Sequence, residues 1–365
     1  MAKMINKPRR KKVTAAQLDV MLEAREFLQK KHGKGAVLGM DAVDSTIPGY
    51  TSTQSLAVDT LIGNGGLPQS RVIEVFGPEG AGKSTLADHV LAEVQRRKGQ
   101  AYLWDTENAR DNRYVDRVGI VRKMATKIEA DVMEQGFQVM QDILGWHLEH
   151  HPEVEGVIVW DTVAGTPTEH ELDPDLNAEA YGPAKLIRSE LRKLVQTIKK
   201  TKWILLAVNQ EYESTKGHQS VRKTYGGGGL PYWSSTRLSV WTPPLGDSWK
   251  VWGPGGKDSG RPPIGQIVSI RCIKNKAFPP LREAKVAILY GEGIDNTWTI
   301  FETLKDAGMI TSGGGWYTLA WPEVEALDVP GKFQGGFLGL KALCAEHTTL
   351  WGALLEAYKA VTVVK

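Results

Sequence analysis

Apolar residues along this chain follow two rhythms. In the centre, "RVIEVF" (71–76), "QAYLW" (100–104), "GVIVWD" (156–161) and "WILLAVNQ" (203–210) are runs of β-forming residues, each too short for a helix. Longer stretches at 85–98, 132–150 and 178–200 mix polar and apolar residues in a helical pattern between them. Strands alternating with helices predict an α/β domain around a mostly parallel sheet. Ahead of it, "TAAQLDVMLEAREFLQKKHG" sets Leu18, Met21, Leu22, Arg25 and Leu28 at helical spacing, with Gly33 as the stop. That helix is expected to pack on its own domain or on a neighbouring subunit. After Arg237 the pattern turns to strands, "RLSVW", "QIVSIRCI" and "AKVAILY", separated by a Pro/Gly/Trp-rich loop over 242–265. From Trp298 a small α/β portion follows, ending in one helix near 338–358. The expected division is a basic tail and N-terminal helix (1–45), an α/β core (46–297) and a small C-terminal domain (298–365). Most tryptophans should be core, with Trp249 and Trp252 exposed.

Composition sharpens this in two places. The formal charge of +3 conceals an uneven distribution. Lys3, Lys7, Arg9, Arg10, Lys11 and Lys12 crowd the first twelve residues, and removing those six from +3 leaves −3 for the rest. The tail is either solvated or a weak electrostatic contact for phosphate backbones. Cys272 and Cys344 are too few for a disulfide framework, so a reducing cytoplasm is expected. No apolar run approaches a membrane span, and no apolar core follows the basic N-terminus as a signal peptide would require.

The chemistry begins at "GPEGAGKST". Gly77, Pro78, Glu79, Gly80, Ala81, Gly82, Lys83, Ser84 and Thr85 spell G-x-x-x-x-G-K-[ST] between a strand and a helix. Glycines let backbone N–H groups turn inward around phosphates, and the helix N-terminus adds positive dipole. Lys83 can reach the β- and γ-phosphates and Ser84 can ligate Mg²⁺. Asp161, closing an apolar strand, suits the metal shell of such a site. Asp105 and Glu107 end another strand, where a carboxylate is well placed as general base, and Gln210 ends a third. Ligands of open α/β sheets bind at these carboxyl ends.

Together these segments resemble the bacterial RecA recombinases over most of the chain. "KKHGKGAVLGM", "TSTQSLAVDTLIGNGGLPQSRVIEVFGPEGAGKST", "DTENARDNRYVDRVGI", "VNQ" and "IKNKAFPPLREAKVAILYGEGI" carry the likeness, and they are specific to that family rather than generic to phosphate-loop proteins. The resemblance implies a RecA-like ATPase fold, ATP and Mg²⁺ as cofactors, and helical filaments on single-stranded DNA that pair it with homologous duplex. It implies Glu107 as catalytic residue, Asp111 and Tyr114 around the adenine, and Gln210 as nucleotide sensor. It also implies Lys274 and Lys276 as cations reaching a neighbour's γ-phosphate.

Two DNA-facing loops are implied as well. The first, near 169–181, is acidic, with Tyr181 for stacking and Lys185, Arg188 and Arg192 following at helical spacing. The second, near 211–225, carries Tyr212, Lys216, His218, Arg222, Lys223 and Tyr225, leads into Gly226 and Gly227, and is expected to be structureless until DNA binds. Pro231 suits the first turn of a helix anchored by Tyr232 and Trp233. Gly-Gly-Gly-Gly-Leu-Pro after the second loop, the long 242–265 loop, the basic start and the ending "VTVVK" depart from the family pattern. Such departures fit a divergent, phage- or plasmid-encoded member. They keep open an alternative, a filament protein that binds ATP and DNA without strand exchange. A hexameric motor is disfavoured by the K-N-K motif.

Overall fold

The computed structural model describes residues 14–40, 47–108, 110–173, 182–216, 219–243 and 246–362; of 213–216 and 219–221 it describes the backbone alone. The chain divides into two units, Met1–Thr46 and Ile47–Lys365. In the first, α1 (Ala15–His32) is capped by Thr14, whose side chain accepts from the Gln17 N–H while Gln17 reciprocates. None of its residues is buried, and Leu18, Met21, Leu22, Phe27 and Leu28 stand in solvent.

The second unit opens with β1 (Tyr50–Thr51), α2 (Leu56–Ile62) and β2 (Leu67–Pro68). Then come β3 (Arg71–Gly77), α3 (Lys83–Arg96), β4 (Gln100–Asp105), α4 (Asn112–Val118), β5 (Ala125–Lys127), α5 (Met133–His150) and β6 (Glu155–Asp161). After α6 (Glu169–Leu172) and α7 (Pro183–Ile198), β7 (Lys202–Lys216) and β8 (Gln219–Thr224) lead to α8 (Gly229–Trp233) and β9 (Thr236–Trp241). Strands β10 (Lys250–Val251), β11 (Gly265–Asn275), β12 (Arg282–Leu289) and β13 (Gly293–Asp295) complete the sheet. Among the described residues it has eleven strands, ordered β13-β12-β11-β9-β3-β7-β6-β4-β5, with β10 on β11 and β8 on β7. From β9 to β5 every pairing on this path is parallel; β11, β12 and β13 add an antiparallel flank.

Period-two alternation sorts the strand residues between two cores. Ile73, Val75, Val157, Val159, Ile204 and Leu206 face α3, where Leu86, Val90 and Leu91 meet them. Val72, Ile158, Trp160, Leu205 and Ala207 face α5 and α7. Trp104 and Trp160 stack 5.2 Å apart there, and Gly136 of α5 is tight against Trp104: a Cβ would fall 1.9 Å from its ring. These cores fix the strand tips to within a turn of one another, which is what the site requires.

A third core joins α9 (Asn296–Asp306), β14 (Ile310–Gly313), β15 (Trp316–Leu319), α10 (Pro322–Glu325), β16 (Lys332–Phe333), α11 (Gly336–Glu346) and α12 (Thr348–Thr362). The single helix expected near 338–358 is two, because α11 ends at His347, whose N–H returns to the Leu343 carbonyl. The exposed tryptophans are Trp146 and Trp316; Trp249 and Trp252 are half-buried, each within 6 Å of the Lys250 ammonium. Both cysteines are free. No helix among the described residues is long and apolar enough to cross a membrane.

Candidate functional site

Strand β3 runs straight into the phosphate loop. Gly77, Gly80 and Gly82 hold φ of 155°, 70° and 87°, a range that side chains resist. At Gly77 a Cβ would lie 1.9 Å from the Val240 carbonyl, and at Gly82 one would lie 2.3 Å from Ile288. The loop therefore curls tightly and delivers Lys83 as the first residue of α3, with Gly82 as its N-cap. Lys83 is buried and donates to the Pro78 carbonyl at 2.7 Å. Burial pushes its ammonium pKa down, against the pull of Asp161, Glu107 and Glu79. Ala81 is buried; Pro78, Glu79, Gly80 and Ser84 are exposed along the rim.

A cavity of about 350 Å³ opens over Gly80, Gly82, Lys83, Ser84 and Thr85, with Tyr114 and Tyr290 on its walls. The Tyr114 hydroxyl donates to Thr85 at 2.9 Å. Asp111 caps α4 by accepting from the Arg113 and Tyr114 N–H groups, which fixes where Tyr114 stands. This curl is a cradle of the kind that receives phosphates. The Ser84 hydroxyl and Asp161 carboxylate are hard oxygen donors, the type Mg²⁺ selects.

Sheet register aligns the other strand ends. Gln210 pairs with Gly77 across β3 and β7, and Asp105 with Asp161 across β4 and β6. Adjacent strands lie ~4.8 Å apart, so these groups share one edge. Glu107 is exposed just beyond β4, and its carboxyl pKa is raised by partial burial, then by Asp161 and Asp105, against Lys83.

One residue of this edge escaped sequence reasoning. Arg110, largely buried, splits its guanidinium among three carboxylates: Nε to Asp88 at 2.9 Å, Nη1 to Asp105 at 3.1 Å and Nη2 to Asp161 at 2.5 Å. Burial opposes its charge, but the three acids together raise its pKa. Asp88 sits inside α3 with its carboxyl pushed up to about 6, by burial first. The available signal was Asp88 itself, an acid on an apolar helix face that needs a buried cation.

At the flank of the sheet Lys274 lies at the end of β11 and Lys276 just beyond it. Lys274 is half-buried and donates to the carbonyls of Pro231, at 2.6 Å, and Tyr232, at 3.0 Å, so it caps α8 of its own chain. Burial, then Lys276 and Arg237, lower its pKa. Lys276 is exposed. Beneath them Arg237 bonds the fully buried Glu74 at 2.5 Å and lies over the Phe76 ring. Asn209 donates to both Glu74 and the Tyr225 carbonyl, at 3.0 Å each, and accepts from the Gln210 N–H. A buried polar relay thus runs from Gln210 through β3 to β9.

The second loop is not structureless. Residues 211–216 pair with 219–224 as an antiparallel hairpin, because β7 continues past the sheet and β8 folds back on it. Tyr212, Arg222 and Lys223 are exposed, and Arg222 lies 3.7 Å from Glu211. Lys216 belongs to β7, its side chain outside the described residues, as are Tyr181 and His218. The first loop begins with α6, whose Glu171 accepts from the Tyr225 hydroxyl at 3.4 Å. Lys185, Arg188 and Arg192 line the exposed face of α7 opposite Ile187, Leu191 and Leu194. Gly226 and Gly227, at φ 78° and 66°, press against Ile187 and Ala184 of that helix. Pro231 lies in the first turn of α8 as expected, and Trp233 packs on the core, but Tyr232 is 68% exposed, its ring edge-on to Trp233 at 5.1 Å.

The phosphate loop, Glu107, Asp161 and Gln210 thus converge at one edge, with Asp111 and Tyr114 beside it. Lys274 and Lys276 stand on a second edge together with the hairpin. The family model for the RecA N-terminal domain matches residues 19–295. Protein RecA of Lactobacillus johnsonii is 34% identical over 307 residues, covering 82% of this chain and 79% of its own. Protein RecA of Aquifex pyrophilus is 33% identical over 297 residues, covering 81% and 80%. The chromosomal RecA of Lactococcus lactis subsp. lactis is 31% identical over 309 residues, covering 84% and 76%.

Proposed function

The chain belongs to the RecA family, and on that premise we propose that it is a DNA-dependent ATPase that forms helical filaments on single-stranded DNA and exchanges strands with homologous duplex. The observation that carries the reading is the convergence of a phosphate cradle, a metal-suited donor pair and a carboxylate of raised pKa at adjoining strand ends.

ATP would lie in the cradle, its β- and γ-phosphates on the loop N–H groups and on Lys83, which leaves the Pro78 carbonyl to meet them. Ser84 and Asp161 would hold Mg²⁺, which supplies charge neutralisation to the transferring phosphoryl group. Asp111 and Tyr114 would border the base. Glu107 accepts a proton from the attacking water, and its raised pKa makes it a better base near neutral pH. Gln210 senses the γ-phosphate and passes its state to the hairpin through Asn209.

Lys274 and Lys276 act on the nucleotide of a neighbouring subunit, so turnover awaits assembly. The single chain fits this division: its own cradle already holds Lys83, whereas Lys274 is engaged elsewhere, on α8. The helix within residues 1–45 docks on a neighbour through its exposed leucines, 46–297 form the ATPase core and 298–365 a C-terminal domain. Single-stranded DNA contacts the hairpin residues Tyr212, Lys216, Arg222 and Lys223, the Gly226–Gly227 turn, Tyr181, and Lys185, Arg188 and Arg192 on α7. Basic and aromatic groups in alternation suit a strand whose phosphates and bases are both accessible.

Strand exchange on long homologous DNA, run beside ATP hydrolysis with and without single-stranded DNA, tests the proposal. Stimulated hydrolysis with full exchange is expected. Stimulated hydrolysis and filaments without exchange would replace it by a filament protein that lacks pairing activity; hydrolysis indifferent to DNA would overturn both.

A further inference from the structure

Arg110 has no part in the reading above, yet it touches three acids of the nucleotide edge. Each contact goes to a different element: Asp88 inside α3, Asp105 at the tip of β4 and Asp161 at the tip of β6. All three acids are at least 90% buried. Asp105 and Asp161 are register partners on adjacent strands, so without a cation between them their charges would drive the carboxylates apart. Arg110 reaches Asp161 through Oδ2, which leaves Oδ1 for another partner. One guanidinium bonds all three carboxylates, and the Lys83 ammonium is a second cation acting on Asp161. A planar fork with separate donors suits this task, whereas an ammonium would be a single point charge.

We infer that Arg110 is a positioning residue: it holds Asp161 in the orientation that receives Mg²⁺ with the nucleotide, before either arrives. It touches neither substrate nor metal and acts through Asp161. The inference rests on the assignment of Ser84 and Asp161 to the metal.

The test is a Mg²⁺ titration of fluorescent ATP-analogue binding by the full-length protein, with Arg110→Gln and Arg110→Lys beside the unaltered chain. Thermal unfolding is recorded for each. For Arg110→Gln the Mg²⁺ concentration at half-maximal binding should rise about tenfold, while nucleotide affinity at saturating Mg²⁺ stays within about twofold. Arg110→Lys, which keeps the charge but not the fork, should fall between. Mn²⁺ in place of Mg²⁺, followed by electron paramagnetic resonance, should show the same order without any turnover. If Arg110→Gln does not fold, Arg110→Lys carries the test alone. An unchanged metal midpoint in the folded variants, even with a lowered melting temperature, overturns the inference and leaves Arg110 a structural ion-pair partner. Absence of Mg²⁺-dependent binding by the unaltered chain would instead remove the metal assignment itself.

Discussion

Two lysines mark two edges of the molecule, and both are bonded to main-chain carbonyls. Lys83 is buried in its own loop, donates to Pro78, and faces Asp161 and Glu107. Lys274 is half-buried on the sheet flank, donates to Pro231 and Tyr232, and has Lys276 and Arg237 as charged neighbours. At the first edge cations and carboxylates are interleaved within one chain. At the second, two lysines stand beside a half-open face, and Glu74, the acid that acts on Lys274, is already taken by Arg237. On the proposed reading the first is a nucleotide cradle complete within one chain, and the second a half-site for an anion supplied by a neighbour. On that reading, this difference would let one fold bind nucleotide alone and still require assembly for turnover.

Substitutions can break this contrast. Lys83→Ala should have the largest effect, removing at least about a thousandfold of ATP turnover together with nucleotide binding, because the phosphate charge loses its only cation from the loop. Steady-state hydrolysis and filter binding would measure it. Lys274→Ala should lower DNA-stimulated turnover about a hundredfold while the isolated subunit binds nucleotide normally. Equal loss of binding in both variants would erase the distinction between the edges.

A finer comparison lies inside the glycine run that adjoins Lys274. Gly226→Ala should cost about 1–3 kcal/mol in chemical denaturation, since φ is 78° and the new Cβ would fall 2.4 Å from Ile187. Gly228→Ala, with φ −83° and nothing within 4 Å of the added carbon, should cost under about 0.5 kcal/mol. A reversed order would mean that the glycine turn is seated differently on α7.

A pH-dependent effect concerns the helix behind the cradle. His89 of α3 accepts from the Ile294 N–H at 2.9 Å, and burial pushes its pKa down to about 4. A depressed histidine gives stability that is present above pH ~6.5 and lost as pH falls toward the folded value. Relative to His89→Gln, the unaltered chain should therefore lose about 2 kcal/mol between pH 7 and pH 5. Buried Asp59 and Asp88, each raised to about 6, contribute with the opposite sign to both proteins and cancel in the difference.

Much of the nucleotide edge was legible because its signals are local. A phosphate loop is contiguous, and an acid ending an apolar run is a strand tip by its own position. Where partners are remote, reading failed. Arg110 is one cation in "TENARDN", and only the packing of α3 and the β4–β6 register bring Asp88, Asp105 and Asp161 to it. The hairpin went unrecognised for a related reason. Its polar residues lack the apolar alternation that marks a buried strand, and continuity with β7 orders them instead. The exposure of Trp146 rather than Trp249 likewise depends on neighbours distant in the chain.

The amino-acid sequence by itself determined the parallel α/β core, the phosphate loop and the strand ends that carry Asp161, Glu107 and Gln210, since periodicity and contiguous motifs need no distant partner. Tertiary structure alone decided that Arg110 joins three acids, that Lys274 rests on α8 and that the second loop is a hairpin. The first two outcomes are contacts between segments far apart in the chain, whose geometry exists only once the sheet has brought them together, and the hairpin forms because β7 runs on past the sheet and β8 folds back on it.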